Sequence, residues 1–74
     1  MNYLEHIIAD PNIMLGKPII KGTRITVELI LKKLSEGYSL DEVVADYPQL
    51  TREDIFATME YASDVVAHEE MIRV

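Results

Sequence analysis

Ser39-Leu40-Asp41-Glu42-Val43-Val44-Ala45-Asp46-Tyr47-Pro48-Gln49-Leu50-Thr51-Arg52-Glu53-Asp54-Ile55 is the stretch whose reading decides the fold. Ser39 followed by Glu42 has capping-box spacing, in which the hydroxyl accepts from a backbone N–H and the carboxylate reaches back. Thr51 followed by Asp54 repeats the spacing. Pro48 cannot continue a helix. The spacing therefore predicts a short helix over 40–47, a turn at Pro48-Gln49-Leu50, and a longer helix opened by Thr51. Leu40, Val43, Val44 and Tyr47 form the buried face of the short helix.

Upstream, Val27, Ile30, Leu31 and Leu34 fall at i, i+3, i+4 and i+7, one face of a first helix. Thr26 is its N-cap and Gly37 its stop. The residue before each cap is apolar, as is the one four past it: Ile25 with Ile30, Tyr38 with Val43, Leu50 with Ile55. These are hydrophobic-staple positions. Downstream, Ile55, Met59, Ala62 and Val66 make the third helix's apolar stripe, with Phe56 and Ser63 flanking. The helix has no clear stop and is expected to reach Met71 or beyond. Centring its buried face on Ile55 turns Glu53, Ala57, Glu60 and Asp64 outward.

Residues 1–25 read as extended chain and turns. His6-Ile7-Ile8 and Pro18-Ile19-Ile20-Lys21 are short β-favouring runs, separated by the turn Asp10-Pro11-Asn12 and the bend at Gly16. They pair as a hairpin, which needs a helix layer or another chain to cover it. The expected fold is mainly α in one domain, 1–74: a β-hairpin or arm over 1–25, then a three-helix, helix-turn-helix region over 26–74.

With 74 residues the core is small, and the absence of cysteine excludes disulfides and thiolate metal sites. Self-association, as a homodimer or higher oligomer, is the expected support. The hairpin and Val65, Val66, Met71 and Ile72 are its expected interface. No apolar run exceeds three residues, far short of a membrane span. Glu5 and His6 interrupt any signal peptide, so the expected location is cytoplasmic, with no membrane partner.

Charge divides the chain, which carries a net -6. Residues 17–33 hold five bases against one acid, and residues 34–74 hold ten acids against two bases. The basic segment Lys17, Lys21 and Arg24 suits phosphate, with Thr51 and Arg52 as the candidate DNA contacts near the third helix's start. Bland roles stand beside these: Gly22 as a turn residue, Arg24 paired with an acid, Lys32 paired with Glu28, Lys33 solvated. Glu53, Glu60, Tyr61 and Asp64 are the candidate protein-binding residues, facing a basic partner or simply water. Two distant histidines, His6 and His68, do not make a zinc site. Gly16 to Thr23 lacks the spacing and lysine of a phosphate loop, and no serine sits in a nucleophile elbow. Neither catalytic residues nor a cofactor or metal is expected.

Gly16-Lys17-Pro18-Ile19-Ile20-Lys21-Gly22-Thr23-Arg24-Ile25-Thr26-Val27, then Leu34-x-x-Gly37-x-Ser39, Tyr47-Pro48-x-Leu50-Thr51-x-x-x-Ile55 and Tyr61-Ala62, resemble a short prokaryotic family. It is the domain of unknown function number four hundred and thirty-three, often grouped with VapB-type antitoxins. The resemblance spans roughly residues 4–63. It implies a homeodomain-like or winged-helix-like DNA-binding fold, and an antitoxin role beside a PIN-type toxin. Two functions follow as expectations. One is a non-enzymatic helix-turn-helix regulator of a toxin-antitoxin pair that binds operator DNA. The other is an acidic interaction module that neutralises the toxin with little or no DNA binding.

Overall fold

A computed structural model describes residues 2–69. Two strands, β1 (Ile7–Ile8) and β2 (Ile19–Ile20), precede three helices, α1 (Val27–Ser35), α2 (Leu40–Asp46) and α3 (Arg52–Ala67). Short 3-10 turns lie at Tyr3–Glu5 and Met14–Gly16. The strands are antiparallel, with Ile7 opposite Ile20 and Ile8 opposite Ile19. Past the turn the chain runs back along β2: Ile20 N–H donates to Ile25 C=O and Val27 N–H to Pro18 C=O. Successive strand residues face opposite sides. Ile7 and Ile20 therefore enter the helical core with Ile30, Val43, Leu50 and Ile55, while Ile8 and Ile19 face the other way.

All three helices start at the expected caps. Thr26, Ser39 and Thr51 each accept an N–H three residues on, and reciprocal capping boxes close at Glu42 and Asp54. The Ser39 backbone and side-chain bonds hold the Glu42 carboxyl below its ordinary value of 4.5. At Glu28 the cause is the bond from Lys17, then its charge. A depressed carboxylate stabilises the fold above its unfolded value and loses that contribution as pH falls through the folded one. Both groups therefore contribute fully at neutral pH and make stability pH-dependent on the acid side only.

The third helix departs from its reading in three respects. It ends at Ala67, with His68 as C-cap, short of Met71; Met71 and Ile72 lie outside the described residues. Its buried arc is Asp54, Ile55, Ala57 and Thr58, continued by half-buried Tyr61 and Ala62. Ala57, expected outside, is fully buried, whereas Met59 and Val66, expected inside, are exposed. The reason is that two polar residues are buried with their bonds made, so apolar content no longer marks the inner face. Two lysines also differ. Glu28 bonds Lys17 at 2.8 Å rather than pairing with Lys32, and Lys33 sits half-buried, 4.6 Å over the Tyr38 ring.

One loop carries backbone strain. Met14 and Leu15 have φ of 50° and 59°, followed by Gly16 at 80°. Left-handed geometry costs a residue with a Cβ about 1–2 kcal/mol.

Gly37 has φ of 98°, and a Cβ there meets no atom within 4 Å. Conformation alone is thus the obstacle to substitution. Gly37→Val should cost about 1–2 kcal/mol and lower the melting midpoint by roughly 5–15 °C. Lys33→Ala, which loses a cation–π contact of about 0.5–1 kcal/mol, should lower it less. Thermal melts of the two variants check the order.

Candidate functional site

The basic segment folds as the tip of the hairpin. Gly22, with φ of 79°, makes the reversal, and Thr23 locks it: its hydroxyl donates to Ile20 C=O (2.9 Å) and accepts from Ile25 N–H (3.0 Å). Lys21 and Arg24 flank this turn, exposed, with no ion pair among the described residues. The other three candidate DNA contacts are engaged within the chain. Lys17 Nζ holds Glu28. The Thr51 hydroxyl accepts Asp54 N–H at 3.2 Å. The Arg52 guanidinium bonds the Asp41 carboxylate, linking α3 to α2. Of the five, Lys21 and Arg24 are the cations without an ion pair among the described residues.

The acidic candidates are likewise mostly occupied. Glu60 Oε1 accepts the Tyr3 N–H (3.1 Å), and Asp64 Oδ2 accepts the Tyr3 hydroxyl proton (2.7 Å). The Tyr61 ring meets the Tyr3 ring edge-on at 5.5 Å. Glu60, Tyr61 and Asp64 thus form a clasp that holds the N-terminal turn on α3. Glu53 is exposed, without an ion pair among the described residues.

Three features escaped the sequence reading. The first is the outer face of α3. At about 100° per residue, Arg52, Phe56, Met59, Ser63 and Val66 share the side opposite the buried arc. Phe56 is 44% exposed, Met59 40% and Val66 65%. Their spacing of three and four residues was legible, but it matched a core stripe as well. The second is a bond from His6 to Asp54 (Nδ1 to Oδ1, 2.9 Å), which ties the hairpin to the first turn of α3. No local signal joins residues so distant. The third is a groove of about 570 Å³ behind the hairpin, floored by Ile8, Ile13, Ile19 and Ile25 and rimmed by Arg24 and Gln49. Among the described residues no group of three or more histidines and carboxylates is placed to hold a metal ion, and no helix is long and apolar enough to cross a membrane.

The architecture defines a class: a small, mainly helical domain of three helices with a two-strand antiparallel hairpin at its N-terminal side. The chain belongs to the family described as "Protein of unknown function (DUF433)", whose profile matches residues 7–62. It is 33% identical to a DUF433 member protein from Anabaena variabilis ATCC 29413 of known crystal structure, with a TM-score of 0.75. That similarity covers 78% of this chain and 57% of the Anabaena chain. The uncharacterized protein y4eO of Sinorhizobium fredii (strain NBRC 101917 / NGR234) is 29% identical over 58 residues, 78% of this chain. This chain spans 26% of that protein's length.

The clasp has a pH signature. The hydrogen bond to Asp64, then burial and the Asp64 charge, raise the Tyr3 phenol above its ordinary 10.0. Below pH 10 both states keep the proton and the bond contributes fully. Above it the unfolded chain ionises first, so stability falls until the folded value is passed. The wild-type melting midpoint should therefore drop more steeply above pH 10 than that of Tyr3→Phe. Melts across the alkaline range test this, and equal slopes would show that the Tyr3–Asp64 bond contributes nothing.

Proposed function

We propose that this chain is a non-enzymatic interaction module of antitoxin type, which captures a basic partner protein on the outer face of α3. The single observation that carries the reading is the solvent stripe Phe56, Met59 and Val66 beside the exposed carboxylate Glu53. Covering these apolar surfaces contributes roughly 1–2 kcal/mol each. The chain's net charge of -6 favours encounter with a cationic protein. By the family resemblance, that protein is a PIN-type toxin encoded in the neighbouring reading frame. The same stripe argues against α3 as a recognition helix. Phosphate attraction requires free cations, and the arginine on this face is paired with Asp41.

A second reading, the helix-turn-helix regulator on operator DNA, draws on Lys21 and Arg24. Two unpaired cations on one tight turn suit phosphate contact, and arginine adds two-donor contact to guanine. In that reading the hairpin tip, not α3, meets the duplex.

Co-expression with the neighbouring reading frame separates the two. Phe56→Asp and Met59→Asp should each lower affinity for that gene product by about tenfold or more, with melting midpoints lowered but cooperative melting retained, because each side chain is already partly in solvent (44% and 40% exposed). Arg24→Ala should leave capture intact. Undiminished capture by both aspartate variants, with loss of promoter binding in Arg24→Ala, would replace the first reading by the second.

A further inference from the structure

The exposed residues of α3 keep a rhythm of their own. Arg52, Phe56, Met59, Ser63 and Val66 follow one another at intervals of four, three, four and three residues. That is a heptad seam, with a mean period of about 3.5 residues, the spacing at which one helix keeps a face toward another. The fold does not consume it. The core is served by Asp54, Ile55, Ala57 and Thr58, while Phe56, Met59 and Val66 stay exposed. From Phe56 to Val66 the seam runs about 15 Å, roughly three turns of backbone.

Side chains of a facing helix enter holes bounded by four residues. Met59, Ala62, Ser63 and Val66 bound one such hole on α3, and its two middle members are small. Ser63 is exposed and Ala62 half-buried, which leaves room for a large aliphatic side chain. One heptad earlier the place of Ser63 is taken by exposed Phe56, a knob rather than a hole.

The seam is charged along one edge only. Glu53 and Glu60, a heptad apart, follow Arg52 and Met59, whereas Ile55 and Ala62 on the other edge turn toward the core. Glu60 accepts a neutral N–H from Tyr3, and neither carboxylate has an ion pair among the described residues. An antiparallel pair of α3 helices would set Glu53 of one copy against Glu60 of the other, a repulsive arrangement. Charge therefore selects a cationic helix over a second copy.

We propose that the partner segment captured on α3 is a helix of about two heptads, apolar along its own seam and carrying Lys or Arg on the edge that meets Glu53 and Glu60. A large aliphatic side chain of that helix seats among Met59, Ala62, Ser63 and Val66. This rests on α3 as the capture face and specifies what is captured there.

The probe is a labelled synthetic helical peptide with Leu at the a and d positions and Lys at e and g, its binding to the whole chain followed by fluorescence anisotropy. A shuffled peptide of the same composition should bind about tenfold more weakly or worse, as should a peptide with Glu in place of Lys. Ser63→Tyr, which fills the hole, should weaken the lysine peptide by about tenfold, whereas Ser63→Ala should not. Glu53→Lys should weaken the lysine peptide and strengthen the glutamate one. Cooperative melting of these variants shows that they fold. A wild-type chain that does not bind the lysine peptide, or binds the shuffled one equally, would overturn the proposal. So would a Ser63→Tyr variant that binds like wild type. The neighbouring gene product separates the two levels. Capture lost in Phe56→Asp but intact in Ser63→Tyr overturns the seated helix and keeps the capture face. Capture intact in Phe56→Asp removes the face, and the helix with it.

Discussion

The side chain of Asp54 is where the helices and the hairpin meet. One carboxylate oxygen accepts the Thr51 N–H that closes the α3 capping box, and the other bonds His6 at the end of the N-terminal turn. The backbone carbonyl of the same residue accepts the Thr58 hydroxyl. A carboxylate this buried is costly to keep unless its oxygens are bonded. The local helix start and the long-range attachment of the hairpin therefore depend on one group. The hairpin, with two residues per strand, has little stability of its own. Without His6 on Asp54 and Tyr3 in its clasp, it would be held mainly by the packing of Ile7 and Ile20.

This division explains what was legible in the sequence. Helix starts are set within a few residues, by caps and staples that a linear reading sees directly. Thr26, Ser39 and Thr51 each open a helix as read, and Gly37 stops the first. The rotation of α3 is decided at long range. His6 draws Asp54 inward and the bond to the Asp54 carbonyl lets Thr58 follow, so the inner arc contains two polar residues. A rule that places apolar residues inside then finds Ile55 and Ala62 correctly but rotates the inner face toward Met59 and Val66, which are exposed. The same limit applies to charges. Counting acids and bases along the chain located the basic segment. It could not show that Lys17 is held by Glu28, or that Glu60 and Asp64 are held by Tyr3.

Those internal pairings change the functional weighting. Glu53, Glu60 and Asp64, expected on the outer side of α3, carry negative charge that repels a DNA backbone. Two of the three also hold the N-terminal turn, through bonds to a neutral N–H and hydroxyl that leave their charge in place, and the neighbouring side of α3 is apolar. Electrostatic repulsion and exposed hydrophobic area are therefore both objections to α3 as a DNA reader. An apolar stripe of this kind on a small domain marks a contact surface. The candidate DNA contacts left without an ion pair among the described residues, by contrast, fall to two cations around Gly22, enough for a local phosphate contact but few beside the roughly six to ten that strong electrostatic binding uses.

The hairpin shows why the remaining apolar surfaces are unequal. Alternation along a strand gives it two faces. Ile7 and Ile20 have the helices as their cover; on the other face Ile19 is buried all the same, and a groove remains beside half-buried Ile8 and Ile13. The loop takes two left-handed residues and leaves Leu15 in solvent. Hydrogen bonds from Ile13 N–H to Asp10 C=O, Gly16 N–H to Ile13 C=O and Lys17 N–H to Met14 C=O hold that geometry within the chain. The α3 stripe differs in kind, since its backbone is regular and only its side chains are exposed.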